Sequence, residues 1–163
     1  MIMIKKIITS AIIVGLSFTA CQNIKNKQTP NEIEMQKKSK KKDIPFSVIK
    51  NYFVNNSVKK ISNPKIETIE KFNEIFGMAT TMGKEGKPTQ IDFSNQYVIA
   101  VLKSETDLST IIEPYNLQRN EKGEIVLSYK YKTGEKQSYS ILAYFAIIVS
   151  KSEKGNIVLN EIK

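Results

Sequence analysis

The sequence contains no histidine and a single cysteine, Cys21. The first absence excludes Ser-His-Asp and Cys-His machinery and any zinc site ligated by histidine. The second excludes an internal disulfide, so stability in an oxidising compartment must come from burial of apolar surface. Catalysis would have to rest on carboxylates, lysine, serine or tyrosine alone, and no arrangement of these residues marks such a site. No internal repeat is present. A phosphate loop is missing too: Gly77 to Lys87 is rich in glycine but lacks the Gly-Lys-Ser/Thr ending that opens a helix. The uncharged N-terminal stretch, Ile7 to Ala20, is 14 residues long, short of the roughly 20 that span a bilayer as a helix.

What is present at the N-terminus has an order of its own. Lys5 and Lys6 precede the apolar stretch, which ends Ser17-Phe18-Thr19-Ala20-Cys21, the layout of a signal peptide over residues 1–20. The last residues resemble the lipobox of bacterial lipoproteins, in the looser form common in the Bacteroidetes, with Phe18 where leucine is usual. The resemblance implies cleavage after Ala20 and acylation of Cys21, palmitate among the acyl groups. Two or more chains hold a protein stably where one binds marginally. Gln22 follows, with no acidic run after it, and sorting by resemblance then leads to the outer membrane, facing the periplasm.

The net charge of +9 is unevenly placed. Residues 21–43 form a tether with seven lysines against Glu32, Glu34 and Asp43, too polar to bury what ordering costs. From residue 44 onward there are 16 basic and 13 acidic residues. That mild excess is a solvated surface and not a nucleic-acid stripe, so no nucleic-acid partner is expected.

Residues 44–163 number 120, one domain with one core. Phe46 to Val54 is apolar but of unclear type. Glu67 to Phe76 predicts a helix, with Ile69, Phe72, Ile75 and Phe76 at spacings of three and four and Gly77 as a left-handed stop. Tyr97 to Leu102 is a continuous run of β-formers, suited to a strand covered on both faces. A strand around Ile111 and Ile112 is expected to stop before Pro114. Ile125, Leu127, Tyr129 and Tyr131 alternate with more polar neighbours, a pattern of one face in and one out. Turns are expected at Asn120 to Gly123 and at Lys132 to Glu135. Tyr144 to Val149 predicts another central strand, and Ile157 to Leu159 closes the sheet. The fold class is therefore α+β: one main helix on a mostly antiparallel sheet of about five strands.

The stretch from Ile66 through Glu74-Ile75-Phe76 and on through Ile91-Asp92-Phe93-Ser94 to Val101 resembles the C-terminal domain of the protease-complex accessory subunit PrcB. Tyr139 to Lys151 is similar to the closing strand of that domain. Lys103-Ser104-Glu105-Thr106-Asp107 replaces the glycine-rich turn the family has after its central strand. The resemblance implies an accessory or inhibitory role beside an envelope protease.

Residues 77–90 are a long loop with three glycines, and long loops are functional or mobile. Thr80, Thr81, Met82 and Lys84 are its candidate binding residues, with the sheet face near Tyr129 and Tyr131 next in line. The expectation is a non-enzymatic protein-interaction module on a lipid anchor, with an envelope protein as partner and no cofactor or metal. The rival is a ligand-binding protein or enzyme with its site on the 77–90 loop and Asp92, against which stands the commoner role of such an aspartate in capping a turn.

Overall fold

The computed structural model describes residues 41–162, with Lys84 placed by its backbone alone. Ala20, Cys21 and the tether up to residue 40 lie outside the described residues.

The two most apolar runs form the centre. β6 (Gln96–Leu102) and β9 (Tyr144–Ser150) pair antiparallel from Gln96 opposite Ser150 to Leu102 opposite Tyr144. Tyr97 to Val101 and Phe145 to Val149 are all buried, because each face of this pair meets its own apolar layer. Tyr97, Ile99, Val101, Phe145, Ile147 and Val149 point into one cluster; Val98, Ala100, Ala146 and Ile148 point into another. Alternation disappears when both faces are covered, which is why the sequence reads here as an unbroken apolar run.

The ladder does not end with these strands. Lys103 donates its N–H to the Ala143 carbonyl at 2.9 Å, and pairing resumes with Thr106 opposite Ile141. It then continues between β7 (Thr106–Arg119) and β8 (Ile125–Ile141) to Arg119 opposite Ile125. Residues 96–150 are thus one two-stranded ribbon folded over on itself. The register slips between Thr106 and Leu108 and again between Leu108 and Thr110, and such bulges bend a ribbon. The folded halves face each other across Leu117, Ile125, Leu127 and Tyr129 on one side and the β6–β9 residues on the other.

Short pieces complete both sheets. β1 (Lys42–Asp43), two residues read from the sequence as the end of the tether, pairs with the end of β7. β2 (Ser47–Val48) lies beside β9 and β4 (Lys65–Ile66) beside β6. β10 (Ile157–Ile162) lies parallel to β8, with Ile157 opposite Ile125. β3 (Tyr52–Val54) and β5 (Phe76–Met78) form a separate ribbon. It joins the helix over the second face of the β6–β9 pair.

The helix, α1 (Ile69–Ile75), is capped by Thr68, whose hydroxyl accepts the Lys71 N–H at 3.3 Å. At seven residues it is too short to persist alone in water. Phe72 holds it down, with its ring 5.1 Å from Tyr52, 5.0 Å from Phe76 and 5.7 Å from Phe93. Asn55 receives the other end, its side-chain amide donating to the Asn73 and Glu74 carbonyls at 3.0 and 3.1 Å.

Among the described residues the architecture is mostly β with one short helix, α+β in broad terms and mostly antiparallel, but it has ten strands in three sheets where about five in one were expected. Several local expectations are corrected. Gly77 is not a left-handed stop: Phe76 leaves the helix extended at φ −120°, and Gly77 lies in β5 under the Phe53 ring. Ile69 is 45% exposed and stands off the apolar stripe. Pro114 does not end its strand, because the ladder is already irregular between Pro114 and Asn116, where a missing N–H costs little. Lys132 to Glu135 is no turn; the chain runs through it as β8, with Thr133 opposite Thr110. The turn at Asn120 to Gly123 is present: the Asn120 and Glu124 backbones pair at 3.0 Å, and Gly123 has φ 80°. Arg119 fastens it, donating to the carbonyls of Gly123 and Lys154 at 2.8 and 2.7 Å and pairing with Glu153 at 2.7 Å. Tyr97 donates its hydroxyl to the Glu153 carbonyl at 3.1 Å. Burial, and then the Glu153 charge, push the Tyr97 phenol up to about 12.

Candidate interaction surfaces

The glycine-rich loop is tied down by one residue the sequence did not single out. Asn51 sits in the left-handed region at φ 62°, which asparagine tolerates better than most side chains. Its amide donates to the carbonyls of Glu85 and Lys87 at 2.6 and 2.9 Å, and its own carbonyl accepts the Ala79 N–H at 2.9 Å. Thr89 exchanges bonds with Lys50: its backbone N–H donates to the Lys50 carbonyl at 3.1 Å, and its hydroxyl accepts the Lys50 N–H at 2.9 Å. Within the loop, Thr81 N–H reaches the Gly86 carbonyl at 3.1 Å, and Gly86 is pressed so closely to the Thr81 backbone that a Cβ would collide with it.

The loop is therefore an ordered projection. Thr80, Thr81 and Met82 are all exposed, and Met82 touches nothing, at 103% relative exposure. Lys84 opens a short 3-10 turn, Lys84–Gly86. Met78, which might have tucked beneath the helix, is 65% exposed. Replacing Asn51 with alanine should speed amide exchange across residues 79–89 and cost about 1–3 kcal/mol, since two backbone carbonyls, of Glu85 and Lys87, lose their bonds. Unchanged exchange there would show that the loop is held by other contacts.

Asp92 does not join this loop. One carboxylate oxygen accepts the Ser94 N–H at 2.9 Å and the other the Asn95 side-chain amide at 2.8 Å. The Asn95 bond first, then that from Ser94, hold its carboxyl below the usual range. This is turn capping. The shallow hollow beside it is lined by residues such as Ile69, Phe93 and Lys151 and by none from 77–90. Among the described residues, no three Asp, Glu, His or Cys cluster as a metal site would require. The sheet face near Tyr129 and Tyr131 is not exposed either: Tyr129 is 7% exposed and Tyr131 packs against the same core.

Among the described residues a different surface is open. The sheet orders run β1-β7-β8-β10 and β2-β9-β6-β4, so four strands are terminal. Three of them, β1, β2 and β4, have two residues each, too short to template another strand. The uncovered stretches of β7 and β8 are broken by bulges and carry Lys132 and Lys136. Bulges, lysines and short length are the usual means of blunting an edge. β10 has none of them. Its six residues contain no proline, lysine or arginine, and Val158 and Leu159 are each 38% exposed. Its one charge, Glu161, is turned away from the free edge. It accepts from Lys103 at 2.8 Å and from the Tyr129 hydroxyl at 3.1 Å, and the Lys103 bond holds its carboxyl below the usual range. No family model, curated protein or solved structure matches the chain.

Sequence reasoning missed β10 as a site because its residues look like any closing strand. The signal available was a negative one: a strand-forming segment, Ile157–Ile162, that itself holds no proline, lysine or arginine.

Proposed function

We propose that the chain is an envelope lipoprotein, anchored through Cys21, whose domain is a non-enzymatic protein-interaction module. On this reading, β10 takes an extended segment of an envelope partner as an added strand. The open, unprotected edge of β10 is the observation that carries it. Strand addition draws affinity from backbone hydrogen bonds and specificity from alternate side chains. Outward-facing Val158 offers such a side-chain contact, since its partner Val126 lies opposite the core-facing Ile125 and Leu127. A tether of some twenty residues gives the module reach from the membrane while holding it at a high local concentration. The protease-accessory role implied by the resemblance to PrcB fits this mode, because protease substrates and inhibitors are themselves extended segments. The exposed Thr80–Met82 stretch, with Lys84 after it in the sequence, is a second contact on this reading. The ligand-binding or enzymatic alternative loses support from Asp92, whose carboxylate is engaged in its own turn.

Val158→Lys tests the edge. A lysine on an exposed edge strand is a natural block to pairing. The melt should move by less than about 1 kcal/mol, as surface changes do, while the partner recovered with the mature protein from envelope extracts falls several-fold. A parallel variant, Thr81→Ala with Met82→Ala and Lys84→Ala, separates the loop from the edge. If Val158→Lys retains its partner in full, β10 is not the docking strand.

A further inference from the structure

A cleft of about 520 Å³ opens between residues 57–66 and the outer side of α1, within the range of small-ligand sites. Its floor is apolar, because the half-buried Ile61 and Ile75, packed against the helix-side core over the buried Ile66, surface there. Its walls carry four lysines, Lys59, Lys60, Lys65 and Lys71, against one carboxylate, Glu74.

The lysines are not equivalent. Lys65 turns its ammonium away from the isoleucine floor, 4.7 Å from the ring centre of Tyr97, which belongs to the core on the other face of the sheet, so the amines left to the cleft are those of Lys59, Lys60 and Lys71. Lys60 has no ion-pair partner among the described residues. Lys59 and Lys71 pair with Glu105 and Glu74 at 3.4 and 2.7 Å, but these side chains are 51–72% exposed. Exposed pairs are held only weakly in water, so a ligand anion can replace their carboxylates. Glu67, the partner of Lys65 at 2.8 Å, does not line the cleft.

We propose that this cleft binds an anionic amphiphile, an aliphatic body with a carboxylate or phosphate head. The chain would lie on the isoleucine floor and the head among the lysine amines. Both halves are required: an apolar floor alone does not select charge, and lysines alone do not retain a ligand against salt. Lysine presents a point charge without the bidentate fork of arginine, so head chemistry is selected by sign and not by shape.

Calorimetric titration of the full chain carrying Cys21→Ser, below micelle concentrations, tests this with four ten-carbon probes: decanoate, decyl phosphate, decanol and decyltrimethylammonium. Either anion should bind at least about ten-fold more tightly than decanol, the cation should not bind, and added salt should weaken the anions. Comparing the two anions distinguishes a fatty-acid source from a phosphate-headed one. Lys60→Gln with Lys71→Gln should lower anion affinity several-fold without moving the melt, and Lys154→Gln should leave it unchanged. Decanol binding equal to decanoate, unchanged affinity in the double variant, or no anion binding at millimolar concentration would each overturn the proposal.

Discussion

Phe72→Ala is expected to lower the stability of the domain by about 3–5 kcal/mol, the range for removing a buried aromatic side chain. Phe72 is 1% exposed and lies among the rings of Tyr52, Phe76 and Phe93. No neighbour is placed to refill its volume, since Ala100 and Ala146, the facing residues of the β6–β9 pair, are themselves minimal. The loss reaches beyond one contact. The helix is seven residues long and depends on tertiary packing for its existence, so the β3–β5 ribbon should loosen with it. With total stability near 5–15 kcal/mol, the variant would be marginal at 37 °C. Ile69→Ala is the internal control: same helix, 45% exposed, expected change below about 1 kcal/mol. Equal midpoints for the two variants in a urea melt would mean that α1 is not docked through Phe72.

Cys21→Ser should move the protein from the membrane to the soluble fraction and abolish metabolic labelling with palmitate. Residue 21 lies outside the described residues, so this expectation rests on the sequence alone: the charged start, the 14-residue apolar stretch and the small residues before the only cysteine. The effect is all-or-none, because the acyl chains carry the membrane affinity at about 0.8 kcal/mol per buried methylene. Deleting residues 22–40 from the same protein should leave its melt unchanged, since that polar, lysine-rich stretch holds too little apolar surface to offset the cost of ordering it. Retention in the membrane with unchanged labelling after Cys21→Ser would exclude the lipoprotein assignment.

The resolution of the site in the sequence was uneven, for physical reasons. Loop 77–90 was visible through its glycines, but its anchor, Asn51, lies 34 residues before the Glu85 carbonyl it holds and carries no local signature. Asp92 was legible as a turn residue because its partners, Ser94 and Asn95, are its sequence neighbours. The cleft was illegible: Lys59, Lys65 and Lys71 read as ordinary surface charge until α1 is folded against residues 57–66.

Sequence by itself determined what depends on neighbours along the chain. The unbroken apolar runs at Tyr97–Leu102 and Tyr144–Val149 require two covered faces. The spacing of Phe72 and Ile75 suits a helix stripe, and the Asn120–Gly123 turn requires residues that accept tight geometry. Tertiary structure alone decided what depends on partners far apart. Alternation in Ile125 to Tyr131 is the same whether the neighbouring strand is parallel or antiparallel, so nothing local foretold that β10 would lie parallel to β8. Lys132 to Glu135 has turn-forming residues, yet its pairing with β7 across the folded ribbon outweighs that local preference. The free edge of β10 is a property of sheet order, and sheet order is set by which long-range pairings bury the most apolar surface together.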